Sequence, residues 1–146
     1  MFFNLRIENF LNQHVGQDWQ KYAKIIPTRN DIGTYYKKMD FFLSPSREEG
    51  WTWAIEEAAY CGCQVIVSSI PGQDENKVPG FYWVGNPNHT DISAEIADTV
   101  KKAYKLSEKD KMERTEKSVA YMKQQFSMDK WVENVVRVYG EAMSSK

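Results

Sequence analysis

Short apolar runs alternate with amphipathic stretches along the chain. Runs rich in aromatic and β-branched residues predict strands at residues 22–27, 40–43, 63–68 and 81–84. Between the second and third runs, good helix formers follow Gly50 and end at Gly62, where a left-handed helix cap is expected. This strand–loop–helix–strand unit is typical of a parallel α/β fold, in which a helix connects neighbouring parallel strands.

Other helices are predicted from apolar residues at helical spacing. An amphipathic helix is predicted over residues 3–14, and a shorter one, capped by Asn30 or Asp31, is predicted to extend to Met39. Three helices follow the last strand, and a capping box at Ser107 starts the second of them. Their apolar stripes, which we expect to face the core, are Ile92, Ile96, Val100 and Ala103; Met112, Val119, Met122 and Phe126; and Trp131, Val135, Val138, Tyr139 and Ala142.

Composition narrows the class of protein. The chain has 146 residues, with 19 Lys and Arg against 20 Asp and Glu, which predicts one domain with a single core. This balance offers no electrostatic basis for nucleic-acid binding. No signal peptide or membrane-length apolar run is evident, so we expect a cytoplasmic protein. Cys61 and Cys63 are too close for an ordinary disulfide, and we expect them to be small buried residues.

The loop between the second and third predicted strands contains the candidate chemistry. It is polar and ends at a helix N-terminus, where backbone N–H groups attract anions. Glu49 lies before this helix and Glu57 lies about two turns inside it. A phosphate at the helix tip and two carboxylates that accept hydrogen bonds from sugar hydroxyls would suit a nucleotide-sugar. The alternative is that both are ordinary solvated charges. His14 and His89 are isolated in sequence, so they suggest neither a metal site nor a catalytic triad.

The sequence context resembles a known family. The segment Pro45-Ser46-Arg47-Glu48-Glu49-Gly50-Trp51-Thr52 is followed in register by Glu57-Ala58, Cys61-Gly62, Ser68-Ser69 and the loop Ile70-Pro71-Gly72-Gln73-Asp74-Glu75. This pattern, over residues 24–139, resembles the donor-binding half of retaining GT-B glycosyltransferases of group 1 (GT4-like). The resemblance implies a Rossmann-like parallel sheet of about four strands flanked by helices. It also implies an incomplete N-terminus and a missing acceptor-binding domain, so that this chain alone transfers nothing.

The resemblance assigns roles to particular residues. Glu49 would be the catalytic residue, in contact with hydroxyls of the transferred sugar, and Glu57 would hold the ribose. The donor sugar and phosphate would be bound at Gly50, Trp51 and Thr52, although Thr52 departs from the frequent glycine. Weaker candidates are Arg47 in the same loop and Thr28 and Arg29 near the nucleotide base. Glu48 and Glu56 would replace the two glutamates if the alignment shifted by one residue, but the spacing favours Glu49 and Glu57.

The implied function is transfer of a sugar from a nucleotide-diphosphate sugar to a glycan or lipid-linked acceptor. Cell-surface polysaccharide or glycolipid synthesis would be the pathway, and the full protein could associate peripherally with the inner face of the membrane. No Asp-x-Asp triplet is present, so neither a metal nor another cofactor is implied. The alternative is a non-catalytic partner or chaperone subunit that has kept the fold and stabilises another glycosyltransferase.

Overall fold

The computed structural model describes residues 2–50 and 52–144, without the side chains of residues 2–5 and 76. The chain divides into two compact units, Met1–Asn30 and Asp31–Lys146. In the first unit, helix α1 (Phe2–His14) confirms the predicted amphipathic helix. A short 3₁₀ turn, Trp19–Lys21, follows. The indole of Trp19 is buried and donates a 3.1 Å hydrogen bond to the Asn12 side chain, which fixes the turn against the helix.

The strand predicted at residues 22–27 is wrong. Residues 23–29 have no regular secondary structure, and the apolar residues Ile25 and Ile26 are only half-buried. Pro27 has no N–H group to donate to a neighbouring strand, and a strand requires such a neighbour. Two adjacent isoleucines therefore did not suffice to predict a strand.

The second unit contains the α/β fold. In chain order its helices and strands are α2 (Gly33–Tyr36), β1 (Phe41–Ser44), α3 (Trp53–Tyr60), β2 (Gln64–Ser68), β3 (Tyr82–Val84), α4 (Ser93–Tyr104), α5 (Glu108–Gln125) and α6 (Met128–Ser144). A helix connects β1 to β2, a 3₁₀ turn (Asp74–Asn76) lies between β2 and β3, and three helices follow the last strand. Within the described part of this unit the sheet has three parallel strands in the order β1-β2-β3, so the expected number of about four is corrected to three. Phe41 pairs with Gln64, and Ser68 pairs with Val84.

The central strand β2 is buried along its whole length, as expected of a parallel strand covered on both faces. On one face, Val65 and Val67 pack with residues of α3 and α5, including Ile55 and Met122. On the other face, Ile66 packs with Ile92 just before α4. Since successive side chains of a strand point to opposite faces, this alternation places helices on both sides of the sheet. The predicted Rossmann-like α/β class is confirmed.

Several local predictions are also confirmed. Gly62, with φ of 97°, follows α3 in the left-handed conformation. The Ser107 hydroxyl oxygen accepts a 3.2 Å hydrogen bond from the Asp110 amide and so caps α5. Cys63 is buried as expected, whereas Cys61 is only half-buried; both are free thiols. Helix α2 differs from its prediction, because it ends at Tyr36 and its N-cap residue, Ile32, has no capping side chain.

The prediction that the apolar side of α6 faces the core is wrong. No residue of α6 is buried, and its apolar side includes Trp131, Val138 and Tyr139, all more than half exposed. Met112 on α5 is likewise 60% exposed. Helical spacing identifies an apolar face but not what lies against it, and within the described residues nothing buries the α6 face. No helix in the described residues is both long enough and apolar enough to span a membrane.

Candidate functional site

The carboxyl ends of the three parallel strands form one edge of the sheet, and the loops that follow them meet there. β1 ends at Ser44, β2 at Ser68 and β3 at Val84. Ligands of open α/β sheets bind at this edge, outside the carboxyl ends of the strands. The loop over residues 45–52 connects β1 to α3 and contains Glu49, so the candidate glutamate lies at the edge where a ligand is expected.

Serine hydroxyls connect the strand ends to Glu49. The buried hydroxyl of Ser68 donates a 2.7 Å hydrogen bond to the carbonyl oxygen of Ser46. The same hydroxyl lies 3.4 Å from the carbonyl oxygen of Ser44. The Ser46 hydroxyl in turn donates to Glu49 Oε1 at 3.3 Å. The β2 strand thereby holds the backbone of the loop, and the loop orients the carboxylate, which remains exposed.

A close backbone contact packs the β2–β3 loop against Glu49. Gly72 has φ of 88°, and a Cβ atom built on it would lie 2.5 Å from the Glu49 carbonyl oxygen and 3.3 Å from Gly50 Cα. Any larger residue would therefore push the two loops apart, in addition to the strain of a positive φ. Gly50 itself faces open space, since a Cβ built there would meet nothing within 4 Å.

The loop after β3 holds the other side of this segment. The Asn88 side-chain amide donates a 2.7 Å hydrogen bond to the Arg47 carbonyl oxygen, and Asn86 Oδ1 accepts the Asn88 backbone N–H at 2.9 Å. Together the loops form an open cavity of about 530 Å³, lined by Arg47, Glu48, Glu49, Gly50, Pro71 and Asn88. This volume lies within the range of small-molecule sites.

The N-terminus of α3 opens at the same loop. Thr52 is the N-cap residue in extended conformation, and its side chain makes no capping hydrogen bond. The first N–H groups of a helix need such a partner, and a bound anion can replace a capping side chain. The positive end of the helix dipole also favours negative charge there. A phosphate group could therefore bind at the start of α3, beside Glu49.

Adjacent glutamates on α3 have opposite environments. Glu56 is buried, with 6% of its surface exposed, whereas Glu57 is exposed. Burial raises the pKa of Tyr36 above its usual value, and the charge of Glu57 raises it further, so Glu57 lies close enough to Tyr36 to affect its ionisation. Of the two residues, only Glu57 is accessible to a ligand.

The remaining predicted site residues differ in what the structure describes of them. Arg47 is exposed at the cavity, and Thr52 is half-buried at the helix start. Trp51 lies outside the described residues. Thr28 and Arg29 are exposed and belong to the Met1–Asn30 unit. Their proposed place near a nucleotide base therefore stays a prediction.

Three features near this site do not follow from the sequence pattern that predicted Glu49 and Glu57. The sequence predicts Asn88 only as part of a loop, and its partner Arg47 lies 41 residues away. Gln73 is fully buried, and neither polar atom of its amide has a hydrogen-bond partner among the described residues. Trp53, the first residue of α3, is 73% exposed. Only Trp53 carried a signal in the sequence, as an aromatic residue outside the apolar face of its helix.

A second, separate concavity of about 360 Å³ lies at the opposite edge of the sheet, where β1 and β2 begin. Gln64 lines it, and its amide donates to the Lys111 carbonyl oxygen at 3.1 Å and to the Thr115 hydroxyl at 2.9 Å. These bonds attach α5 to the start of β2, which gives the buried Gln64 a structural role.

The parallel sheet, the helices on both faces and the site at the carboxyl edge define a Rossmann-like α/β domain. The family model described as glycosyl transferases group 1 matches residues 6–136. The chain therefore belongs to the group 1 glycosyltransferase family, whose members bind a nucleotide-sugar and an acceptor. No curated protein matches the chain significantly.

Proposed function

We propose that this chain is the donor-binding part of a retaining glycosyltransferase with GT-B architecture, of the GT4-like kind. The observation that carries the proposal is the position of Glu49, held by Ser46 at the mouth of α3, with Glu57 exposed further along the same helix. Glu49 contacts hydroxyls of the transferred sugar, and Glu57 accepts hydrogen bonds from the ribose diol. Gly50, Trp51 and Thr52 bind the sugar and phosphate.

The reaction exchanges one bond at the anomeric carbon of the donor sugar. The acceptor hydroxyl oxygen forms a bond to this carbon, and the bond to the diphosphate oxygen breaks. The nucleoside diphosphate leaves with the electron pair. The acceptor proton passes to the leaving diphosphate, since retention of configuration requires both groups on the same face of the sugar.

The chain contributes to this reaction by positioning the donor and by stabilising charge. The N-terminus of α3 binds the diphosphate and stabilises the negative charge that the diphosphate gains as it leaves. Arg47 adds a positive side chain at the same cavity. Neither the binding of the diphosphate nor its departure requires a metal ion in this proposal, and we propose that none is used. Glu49 and Glu57 are not a glycosidase acid–nucleophile pair, because Glu57 serves the ribose, away from the reacting carbon.

The acceptor in this proposal is a glycan or a lipid-linked saccharide, held mainly by a preceding domain. We place the activity in the cytoplasm, in synthesis of a cell-surface polysaccharide or glycolipid, with peripheral association of the full protein at the membrane. The donor sugar is a hexose.

The experiment that tests the proposal is ligand-observed NMR with UDP-, GDP- and ADP-sugars. At least one donor should receive saturation from the wild-type chain, and the Glu57→Ala variant should lose that signal. Glu116→Ala, which removes an exposed glutamate from α5, is the matched control and should behave as wild type. Equal signals from wild type and Glu57→Ala would contradict the role of Glu57.

A second candidate function is a non-catalytic partner that stabilises another glycosyltransferase. Thr52 favours it, because this half-buried side chain stands where the resembled family frequently has glycine for close approach to the donor. This candidate predicts that none of the three nucleotide-sugars binds the wild-type chain. Binding that depends on Glu57 would reject it.

A further inference from the structure

The cavity beside Glu49 contains a second carboxylate, to which the proposed function assigns no role. Glu48 lines this cavity and is exposed. Glu49 Oε1 already accepts a 3.3 Å hydrogen bond from the Ser46 hydroxyl. The Glu48 carboxylate, in contrast, has neither a hydrogen bond nor an ion pair with the residues that the structure describes. Its charge is therefore not neutralised by a neighbour within this part of the chain.

Negative charge predominates among the side chains that line the cavity. Arg47 contributes one positive charge, against the two negative charges of Glu48 and Glu49. The Asn88 side-chain amide donates to the Arg47 carbonyl oxygen at 2.7 Å, so this amide group is already engaged in holding the loop. A ligand in the cavity therefore meets two carboxylates and one guanidinium group.

The lining of the cavity indicates which part of the donor Glu48 faces. In the proposed function the diphosphate binds at the N-terminus of α3, where Thr52 is the N-cap residue. Of the described residues, Thr52 lies outside the lining of the cavity, whereas Glu49, the residue proposed to contact sugar hydroxyls, lies within it. The cavity is therefore the place of the transferred sugar, and Glu48 stands beside the sugar rather than beside the diphosphate.

A carboxylate in this position distinguishes sugars by their charge. A hexose carries a CH₂OH group at C6, and its hydroxyls donate hydrogen bonds to carboxylates. The corresponding hexuronic acid carries a second negative charge in place of that group. A cavity of about 530 Å³ is roughly 10 Å across, so at low salt a carboxylate anywhere inside it is within range of the Glu48 charge. Like charges brought together in this way select against a ligand.

We propose that Glu48 is a specificity-determining residue, which restricts the transferred sugar to hexoses and excludes hexuronic acids. This inference rests on the proposed function and deepens it, since it names the class of donor sugar that the cavity admits. Glu49 binds hydroxyls that both classes of sugar possess. Glu48 acts against the anionic sugar and is not required for binding of the neutral one. In the proposed function the Arg47 charge serves the diphosphate, so it does not offset this repulsion.

Titration calorimetry on the whole chain with matched donors tests the inference. The nucleotide is whichever of UDP, GDP and ADP binds the wild-type chain as a nucleotide-sugar. Its glucose, galactose and mannose derivatives are each compared with the derivative of the corresponding hexuronic acid. Glu48→Gln keeps the size of the side chain and removes its charge. Glu116→Gln is the matched control, because it removes the same charge from an exposed position of α5.

We expect the wild-type chain to bind at least one hexose derivative about tenfold more tightly than its hexuronic acid counterpart at low salt. Glu48→Gln should tighten binding of the hexuronic acid derivative about fivefold and leave the hexose derivative within about twofold of wild type. In about 1 M salt, where charges are screened beyond about 3 Å, the two derivatives should bind the wild type more nearly alike. Because Glu48 is exposed, the variant should keep the thermal midpoint of the wild type.

Three results would overturn this inference while a nucleotide-sugar still binds through Glu57. One is equal or tighter binding of the hexuronic acid derivatives by the wild type, which would show that Arg47 decides the charge preference. Another is a preference that is the same in Glu48→Gln and Glu116→Gln. The third is loss of hexose binding in Glu48→Gln, which would make Glu48 a contact of the sugar hydroxyls. Failure of every nucleotide-sugar to bind the wild-type chain would instead overturn the proposed function.

Discussion

The side-chain amide of Asn88 lies 2.7 Å from the carbonyl oxygen of Arg47, to which it donates a hydrogen bond. The bond joins the loop after β3 to the loop before α3, two segments that do not follow each other in sequence. Arg47 is two residues from Glu49, so this contact limits the movement of the backbone on which the candidate carboxylate is placed. We therefore expect it to position Glu49 within the candidate site.

Replacing Asn88 by Ala should loosen the Glu49 loop. One exposed hydrogen bond is lost, so the free energy of unfolding should fall by only about 0.5–1 kcal/mol. The affinity for the nucleotide-sugar should fall more than the affinity for the nucleoside diphosphate, since the latter lacks the sugar that we propose Glu49 contacts. Urea denaturation measures the first quantity and titration calorimetry the second.

The control for this variant is Asn134→Ala, which removes an exposed asparagine from α6. It should change neither stability nor ligand affinity. If Asn88→Ala binds the nucleotide-sugar as tightly as wild type, the bond to Arg47 does not position the site.

Gly72→Ala should destabilise the protein by about 2–4 kcal/mol, because it combines a strained positive φ with a Cβ atom 2.5 Å from the Glu49 carbonyl oxygen. Gly62→Ala provides the matched control. Gly62 also has positive φ, but open space surrounds its Cβ position. It should therefore lose only about 1 kcal/mol. Thermal or urea denaturation of both variants measures the difference, and equal losses would show that the contact with Glu49 is not tight.

The buried side chain of Gln73 should lower the free energy of unfolding. Its side chain is fully buried, and its amide has no hydrogen-bond partner among residues 2–50 and 52–144. Burying an unsatisfied amide is costly, so Gln73→Met, which keeps a similar volume, should raise the free energy of unfolding by about 1–2 kcal/mol. Gln13→Met, at an exposed position of α1, serves as the control. Lower stability of Gln73→Met in urea would indicate that the amide is satisfied in solution.

The Cys63 thiol should make stability depend on pH. Burial, and to a smaller extent neighbouring Cys61, raises the pKa of Cys63 above its ordinary value. The unfolded chain then releases this proton at lower pH than the folded protein does. The free energy of unfolding should therefore fall as pH rises above about 8.5.

Urea denaturation of wild type and Cys63→Ala at several values between about pH 8 and pH 9.5 measures this effect. The slope of stability against pH should be smaller in Cys63→Ala. Cys61→Ala keeps the buried thiol and should retain most of the wild-type slope. Identical slopes in wild type and Cys63→Ala would exclude Cys63 as the source.

The α/β unit could be predicted because its signals are local. The apolar runs that became β1 and β2, and the glycine after α3, each depend on a few adjacent residues. The strand predicted at residues 22–27 failed because a strand also needs a neighbour, which no short window reveals. The apolar residues of α6 were correctly predicted to lie on one side of a helix. Whether that side is buried depends on which other element packs against it, and helical spacing does not reveal this.

The arrangement of the candidate site could be predicted only in part. The spacing of Glu49 and Glu57 is written in the sequence, whereas the burial of Glu56 beside the exposed Glu57 emerges only once α3 packs on the sheet. The contact between Asn88 and Arg47 depends on the parallel order of the strands. The burial of the Gln73 amide without a hydrogen-bond partner results from the packing of a loop, and the sequence of a loop has no periodic pattern that would predict it.

Glu49 and Glu57 are proposed to bind different parts of the donor, Glu49 the sugar and Glu57 the ribose. Titration calorimetry of Glu49→Ala and Glu57→Ala, each with a nucleotide-sugar and with its nucleoside diphosphate, tests this directly. Glu57→Ala should weaken both ligands about tenfold, and Glu49→Ala should weaken only the nucleotide-sugar by a similar factor. Wild-type affinity of both variants for both ligands would contradict the account.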